Sequence, residues 1–434
     1  MSQTIEEKKK HSFWNDYFFN VFRVDPREMA SLNGIRAIAL FMLFYAHLYR
    51  GYESFLKPEF RDMKEPINFF ISNFLLNGSS CLDMFFVLSG FLISGPLLRE
   101  LQRTGTVSIK FFYIKRLLRI FPPYYIFLLI WGGYFLPKYI NSLPPGHETK
   151  LFWKSWLIND ALYLSNYLPR TVVHGWSLAL EEQFYLLFPF FLLGVYRFIP
   201  ERYKLSSLIG LALLPLLYRF YVVYALMPEG NISYNTYVYY PFHGHIDSVF
   251  YGIIAAYIYD NRKHWIDWLM ERVILRRTLH LSMWLSIFFY SIFVNEFKPG
   301  FFSQVIRFNI FSIAWGVIMI LTLREGSLPQ KILSWKGFSP VAKLSYGAYL
   351  LHLVVMQVYT PKIWKNAIYT TSLTYWHILA WFLPLCFITL FYSYIFHLFA
   401  ERPFMLWKDN LVLKFKETLK AQKEKEENIV LRPK

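Results

Sequence analysis

Cysteine is nearly absent: Cys81 and Cys386 are the only two in 434 residues, so at most one bridge can form and no cysteine spacing holds a metal. Charge is scarce as well. Only 17% of residues are charged, against about 25% in a soluble globular domain. No polar stretch suits a sizeable soluble domain, because the longest segments between apolar runs are 138–176, 50–81 and the tail after Glu401. No internal repeat is visible, which removes support for the inverted-repeat plan of many transporters. The N-terminal pattern does not read as a signal peptide. Lys8, Lys9 and Lys10 precede an apolar patch (Phe13, Trp14, Tyr17, Phe18, Phe22) that is broken by Asn15, Asp16 and Asn20, the pattern of an amphipathic helix lying at an interface.

Apolar residues fill the space: 55% of the chain is hydrophobic and 21% aromatic. Ten runs approach the roughly 20 residues needed to span a bilayer, at 32–49, 82–98, 120–137, 177–196, 205–226, 240–259, 279–294, 304–323, 340–360 and 376–399. The fold class is therefore expected to be all-α and polytopic, with about ten transmembrane helices. With both termini cytoplasmic, 31 of the 46 Lys and Arg fall in inside segments, 11 outside and 4 within spans, as the positive-inside rule requires. The net charge of +17 is then a topological signal, and no nucleic-acid partner is expected. The expected organisation is a cytoplasmic amphipathic segment (1–31), a membrane domain (32–403) and a charged cytoplasmic tail (404–434). "INFFISNFLL" (67–76) is short for a span and is expected at the interface.

Two runs carry helix breakers. Gly90, Gly95 and Pro96 either interrupt the second run or let another backbone approach closely, and Pro122 with Pro123 is expected to end one helix and start another.

An ionised side chain in the bilayer core costs roughly 2.5–3.5 kcal/mol, so such residues face protein or water and usually serve a purpose. Alternating topology assigns each a depth. Arg36 lies near the inner face and His47 in the outer half; eleven residues bring both to the same helix face, about 16 Å apart. Asp83, Glu181, Glu182, His243, His245, Asp247 and His352 also fall in the outer half, while Lys343 is near the inner face. Of Glu181 and Glu182, about 100° apart, only one is expected to face a given cavity. Arg116 and Arg119, at i and i+3, share a face and suit a phosphate. Arg219 and Arg307 are cations at outer depth.

Each has a plainer reading. A membrane histidine is often hydrogen-bonded packing, Arg36 an interface anchor, Arg116 and Arg119 topology determinants, and the glutamates structural partners of a cation such as Arg219. His243 and His245, at i and i+2, point to opposed faces, so no metal site is expected.

Taken together and in order, Arg36 with ten residues before His47, "DMFFVLSGFLIS", "IKRLLRIFPPYY", "WSLALEEQFYLLFP", "LSYGAYLLH" and "ERPF" resemble the acyltransferase-3 family of integral-membrane O-acyltransferases, from about Ser31 to Phe404. The resemblance implies a ten-helix enzyme of a bacterial inner membrane. It would move an acyl group, usually acetyl from acetyl-CoA, onto a hydroxyl of an extracytoplasmic carbohydrate or glycolipid such as lipopolysaccharide O-antigen or exopolysaccharide. Sequons at Asn77 and Asn231 also fit a eukaryotic membrane. His47 would be the essential histidine, Arg36 its paired basic residue, Arg116 and Arg119 the two-arginine motif, and Glu181 or Glu182 the acidic position. The family often appends a periplasmic domain; the short tail after "ERPF" suggests the form without one.

The implied route runs from inside to outside. Arg116, Arg119 and Arg36 would hold the phosphates of acyl-CoA, a donor substrate and not a resident cofactor. The pantetheine arm would reach His47, which acts as base or forms an acyl-histidine, with Glu181, Glu182 or Asp83 orienting its ring. Ser89, Tyr346 and His352 are expected to line the substrate path. The alternative class is a transporter or flippase of a glycolipid or small anion.

Overall fold

The computed structural model describes residues 14–24, 28–58, 70–71, 73–74, 77–227, 233–294, 300–323 and 327–430. Among these there is no strand, only a single bridge between Leu56 and Leu373. The principal helices are α1 (Ala30–Tyr52), α2 (Cys81–Thr104), α3 (Ile109–Ile130), α4 (Glu148–Ala161), α5 (Gly175–Phe198), α6 (Glu201–Tyr221), α7 (Asp247–Asn261), α8 (Val273–Phe293), α9 (Arg307–Thr322), α10 (Phe338–Ile363), α11 (Tyr375–Phe396) and α12 (Arg402–Val430).

The apolar runs are helical, because a backbone in hydrocarbon must satisfy its own hydrogen bonds, though not each is a single helix. Among the described residues seven helical segments are long and apolar enough to cross a membrane, and α9 is a shorter apolar helix. The segment 67–76 lies mostly outside the described residues, as do Lys8, Lys9, Lys10, Phe13 and Asn231.

The bundle is built around α2. Its apolar window is 83% buried, against 28% for the segment beginning at Tyr375, so α2 faces protein and α11 presents most of its surface outward. The second run is not interrupted. Its glycine serves the close approach instead: a Cβ on Gly90 would stand 2.2 Å from the Val249 carbonyl oxygen, and one on Gly252 would stand 2.1 Å from that of Val87. Small residues let membrane helices meet backbone to backbone. Gly90→Ala is expected to destabilise the protein by about 1–3 kcal/mol, the usual cost of overpacking. A thermal unfolding series in detergent measures it, and an unchanged midpoint would show that α2 and α7 can separate freely.

Two local expectations are corrected. Pro122 and Pro123 lie inside α3, which continues unbroken from Ile109 to Ile130. Neighbouring helices tolerate such prolines in a membrane bundle, and here Tyr346 Oη donates to the Ile120 carbonyl oxygen at 3.2 Å, tying α10 to that turn. The run 240–259, by contrast, is not one helix: a single turn over Phe242–His245 precedes α7. Pro241 opens the single turn, the break falls at Ile246, and Gly244 sits so close to the preceding chain that a Cβ would meet the Val238 carbonyl oxygen at 2.3 Å.

Helices α1 and α10 run side by side in the same direction, with Arg36 and Lys343 at one cavity and His47 against His352 further along. This pairing sets Phe44 against His352, with ring centroids 5.3 Å apart.

Candidate active site

The N-terminal stretch helps build a basic mouth at one end of the bundle. Residues 14–19 form a helix that exposes Trp14, Phe18 and Phe19 and is followed by buried Val21. Asp16 pairs with Arg402 at 2.7 Å, Tyr17 Oη donates to the Leu398 carbonyl at 2.7 Å, and Lys343 pairs with Glu28 at 3.4 Å. Below α10 these contacts frame a cavity of about 500 Å³ whose wall includes Arg23, Arg36, Arg119, Lys343 and Arg402. Glu28, Glu401 and Asp409 temper that charge.

A second cavity, of about 370 Å³, lies deeper in the bundle. The two cavities share Arg36, Arg119 and Tyr346 in their walls. Arg116 lines only the deeper one, with its guanidinium 5.1 Å from the centre of the Tyr185 ring. Arg119 therefore borders both cavities, while Arg116, one helix turn earlier on α3, borders only the second. Ser89, bonded to the Tyr185 hydroxyl at 2.8 Å, faces the same space. Glu181 and Glu182 both line it, correcting the expectation that only one would. Adjacent residues diverge by about 100°, and this cavity curves round a wider sector of α5 than that.

The deeper cavity ends at Ser177 and Tyr349, whose hydroxyls are hydrogen-bonded to each other. Beyond them three histidines gather. His47 on α1 and His352 on α10 have ring centroids 4.9 Å apart, and His174, just before α5, lies 5.1 Å from His352. Hydrogen bonding assigns the tautomers of two neutral rings. His352 Nδ1 is 2.6 Å from the Tyr349 carbonyl oxygen, which only accepts, so Nδ1 carries the proton. His352 Nε2 then has a lone pair facing His47 Nδ1 at 3.0 Å. His47 Nδ1 must donate, and its Nε2 is left as the basic nitrogen.

A histidine thus stands where a carboxylate was expected to orient His47. Asp83 is placed elsewhere: its Oδ1 accepts from His245 Nε2 at 2.9 Å and from Ser248 at 2.9 Å, while Ser312 reaches Ser248. Arg219 pairs with Asp247, not with a glutamate, at 2.7 Å, and its guanidinium also bonds Asn309 Oδ1 and the carbonyls of Val305 and Gly244. A buried ion survives when every polar group around it is met, so these groups act as joints between α2, α6, α7 and α9. His243 bonds the Tyr167 hydroxyl at 3.2 Å. Among the described residues no group of three His, Cys, Asp or Glu is placed to hold a metal.

His174 was invisible to the depth argument because it falls in the polar segment 138–176, outside any span. The signal that finds it is its place three residues before Ser177, at the start of an apolar run.

A family model described as an acyltransferase domain matches residues 29–398. The chain belongs to the acyltransferase-3 family. It is similar to a peptidoglycan O-acetyltransferase of Listeria monocytogenes, 28% identical over 349 residues that make up 78% of this chain and 51% of the relative. It is also similar to a Bacillus subtilis protein named as a putative peptidoglycan O-acetyltransferase, 26% identical over 77% of this chain and 50% of the relative. The chain spans about half the length of the curated relatives it matches. No solved structure matches it. Both Arg36 and His47 lie within the matched region.

Proposed function

We propose that this membrane acyltransferase moves an acetyl group from cytoplasmic acetyl-CoA to a sugar hydroxyl of an extracytoplasmic polysaccharide or glycolipid, in a bacterial cytoplasmic membrane. One observation carries the reading: two cavities with a common wall lead from a basic inner mouth, past Arg36, toward the His47–His352 pair. The nucleotide phosphates of acetyl-CoA are too charged to enter hydrocarbon, yet the acceptor lies outside. The uncharged pantetheine arm resolves this, since its reach is of the order of the roughly 16 Å rise from Arg36 to His47. Arg119 and Arg36 hold the phosphates, as guanidiniums suit them, and the arm runs past Ser89, Tyr185 and Tyr346.

At the far end His47 Nε2 takes the proton of the acceptor hydroxyl while that oxygen attacks the thioester carbonyl carbon. The carbon–sulfur bond breaks, CoA leaves as the thiolate, and the proton passes from His47 to that sulfur or to water. His352 fixes the tautomer and ring orientation, the part a carboxylate plays in serine-hydrolase triads. The printed names of the relatives point to peptidoglycan as one such acceptor; O-antigen and exopolysaccharide present the same hydroxyl chemistry.

Membranes containing the protein, given acetyl-CoA labelled in the acetyl group, are expected to place label on envelope carbohydrate as an alkali-labile ester, while His47→Ala membranes are not. Movement of glycolipid across the bilayer with no label on sugar would favour the transporter class instead.

A further inference from the structure

A third cavity opens at the opposite end of the molecule from the basic mouth. It occupies about 130 Å³ between the outer end of α3, the helix α4, the loop 170–174 and the upper turns of α10. We infer that this cavity is the acceptor subsite, taking a single sugar ring and presenting one of its hydroxyls to the histidine cluster; the inference rests on the acetyl-transfer reading.

Its walls have the composition such a ligand needs. Trp131, Tyr139 and Trp156 offer flat apolar faces, and His174, Arg170 and Gln357 supply the polar groups, the mixture of hydrophobic wall and few placed polar groups typical of small-ligand sites. Among the described residues no carboxylate lines it, so a neutral or acidic sugar fits and an amine does not.

His174 joins this cavity to the chemistry. It is 4% exposed, lines the cavity and sits beside His352. Neither of its ring nitrogens makes a hydrogen bond of normal geometry among the described residues. Burial first, then the nearby His352 ring and Arg170 guanidinium, hold this imidazole well below the ordinary histidine range, against a weaker pull from the Leu350 backbone, so it is neutral and its basic nitrogen is open to a donor. Buried polar groups are rarely left so. A sugar hydroxyl, which both donates and accepts, satisfies either nitrogen.

The loop that carries His174 is held rigidly. Buried Asp160 accepts from the Thr171 N–H at 2.7 Å, the Thr171 hydroxyl at 2.7 Å and the Val172 N–H at 3.0 Å. Trp131 Nε1 donates to Thr171 Oγ1 at 3.1 Å, so the same threonine fixes one of the aromatic walls. Arg170 is braced on the carbonyls of Ser165 and Val173 and lies over the Tyr240 ring at 4.0 Å. Such prior ordering lets a small ligand bind with little further loss of freedom.

The test uses purified full-length protein, acetyl-CoA, and the methyl glycosides of glucose, N-acetylglucosamine and N-acetylmuramic acid as probes, with CoA release and sugar acetylation both measured. Trp156 is half-buried and Gln357 exposed, so Trp156→Ala and Gln357→Ala leave the core intact. In each, the half-saturating concentration of the best glycoside is expected to rise about tenfold while that of acetyl-CoA stays the same. Unchanged glycoside dependence, or an equal rise for both substrates, overturns the subsite. So does failure of all three glycosides to be acetylated by protein that still acetylates carbohydrate in its own membrane. Failure of the wild-type protein to acetylate any carbohydrate overturns instead the acetyl-transfer reading on which the subsite rests.

Discussion

His47→Ala is expected to lower acetyl transfer by about 10²- to 10⁴-fold, the usual contribution of a positioned general base, with acetyl-CoA binding unchanged. Two observations separate these effects. His47 lies beyond Tyr349 and is absent from the walls of both inner cavities, whereas Arg36 and Arg119 line the mouth. Truncation at residue 47 therefore removes the proton acceptor without touching the groups assigned to the phosphates. His352→Ala is the informative companion. It leaves His47 Nε2 in place but removes the acceptor at 3.0 Å that fixes its tautomer, so transfer falls less and the pH–rate profile shifts. Equal loss in both variants with an unaltered profile would mean that the two rings act only as packing. Binding of acetyl-CoA, read by calorimetry on the same preparations, guards against simple misfolding.

The parts of this protein dictated by the bilayer could be read directly from its sequence. The apolar runs became helices because a backbone in lipid must satisfy its own hydrogen bonds, which a helix does within one segment. What depended on neighbours could not be read. Pro122 and Pro123 look like a stop, yet surrounding helices hold α3 together across them. Depth placed Asp83 and His47 in the same layer but said nothing of lateral position; packing put Asp83 against His245 and gave His47 another histidine. That choice has a local cause. On α10 the His352 ring reaches back one turn to the Tyr349 carbonyl oxygen, and this hydrogen bond makes an imidazole serve as the orienting acceptor. Glu181 and Glu182 were identified as residues of interest, but their placement followed from the width of a cavity that no periodicity reveals. His174 was missed for the opposite reason: it is a buried group in a segment whose sequence reads as loop.

Arg36→Ala is expected to raise the half-saturating concentration of acetyl-CoA by roughly 10- to 100-fold, the loss of a hydrogen-bonded charge contact worth about 1.5–3 kcal/mol. Arg36 is half-buried and belongs to both inner cavities, whereas Arg119 is exposed. Water screens an exposed charge more effectively, so Arg119→Ala should cost less. Arg36→Lys should recover part of the loss, because it restores the charge but not the planar fork that grips a phosphate at two points. The decisive comparison uses acetyl-pantetheine, a donor with the thioester arm and no phosphate. If Arg36 grips the nucleotide end, the wild-type protein and Arg36→Ala turn over this shorter donor at the same rate, and the penalty appears only with acetyl-CoA. If Arg36 instead supports the chemistry near the thioester, Arg36→Ala is impaired with both donors. His47→Ala should fail with either donor, since the base meets the same acetyl group whichever carrier delivers it.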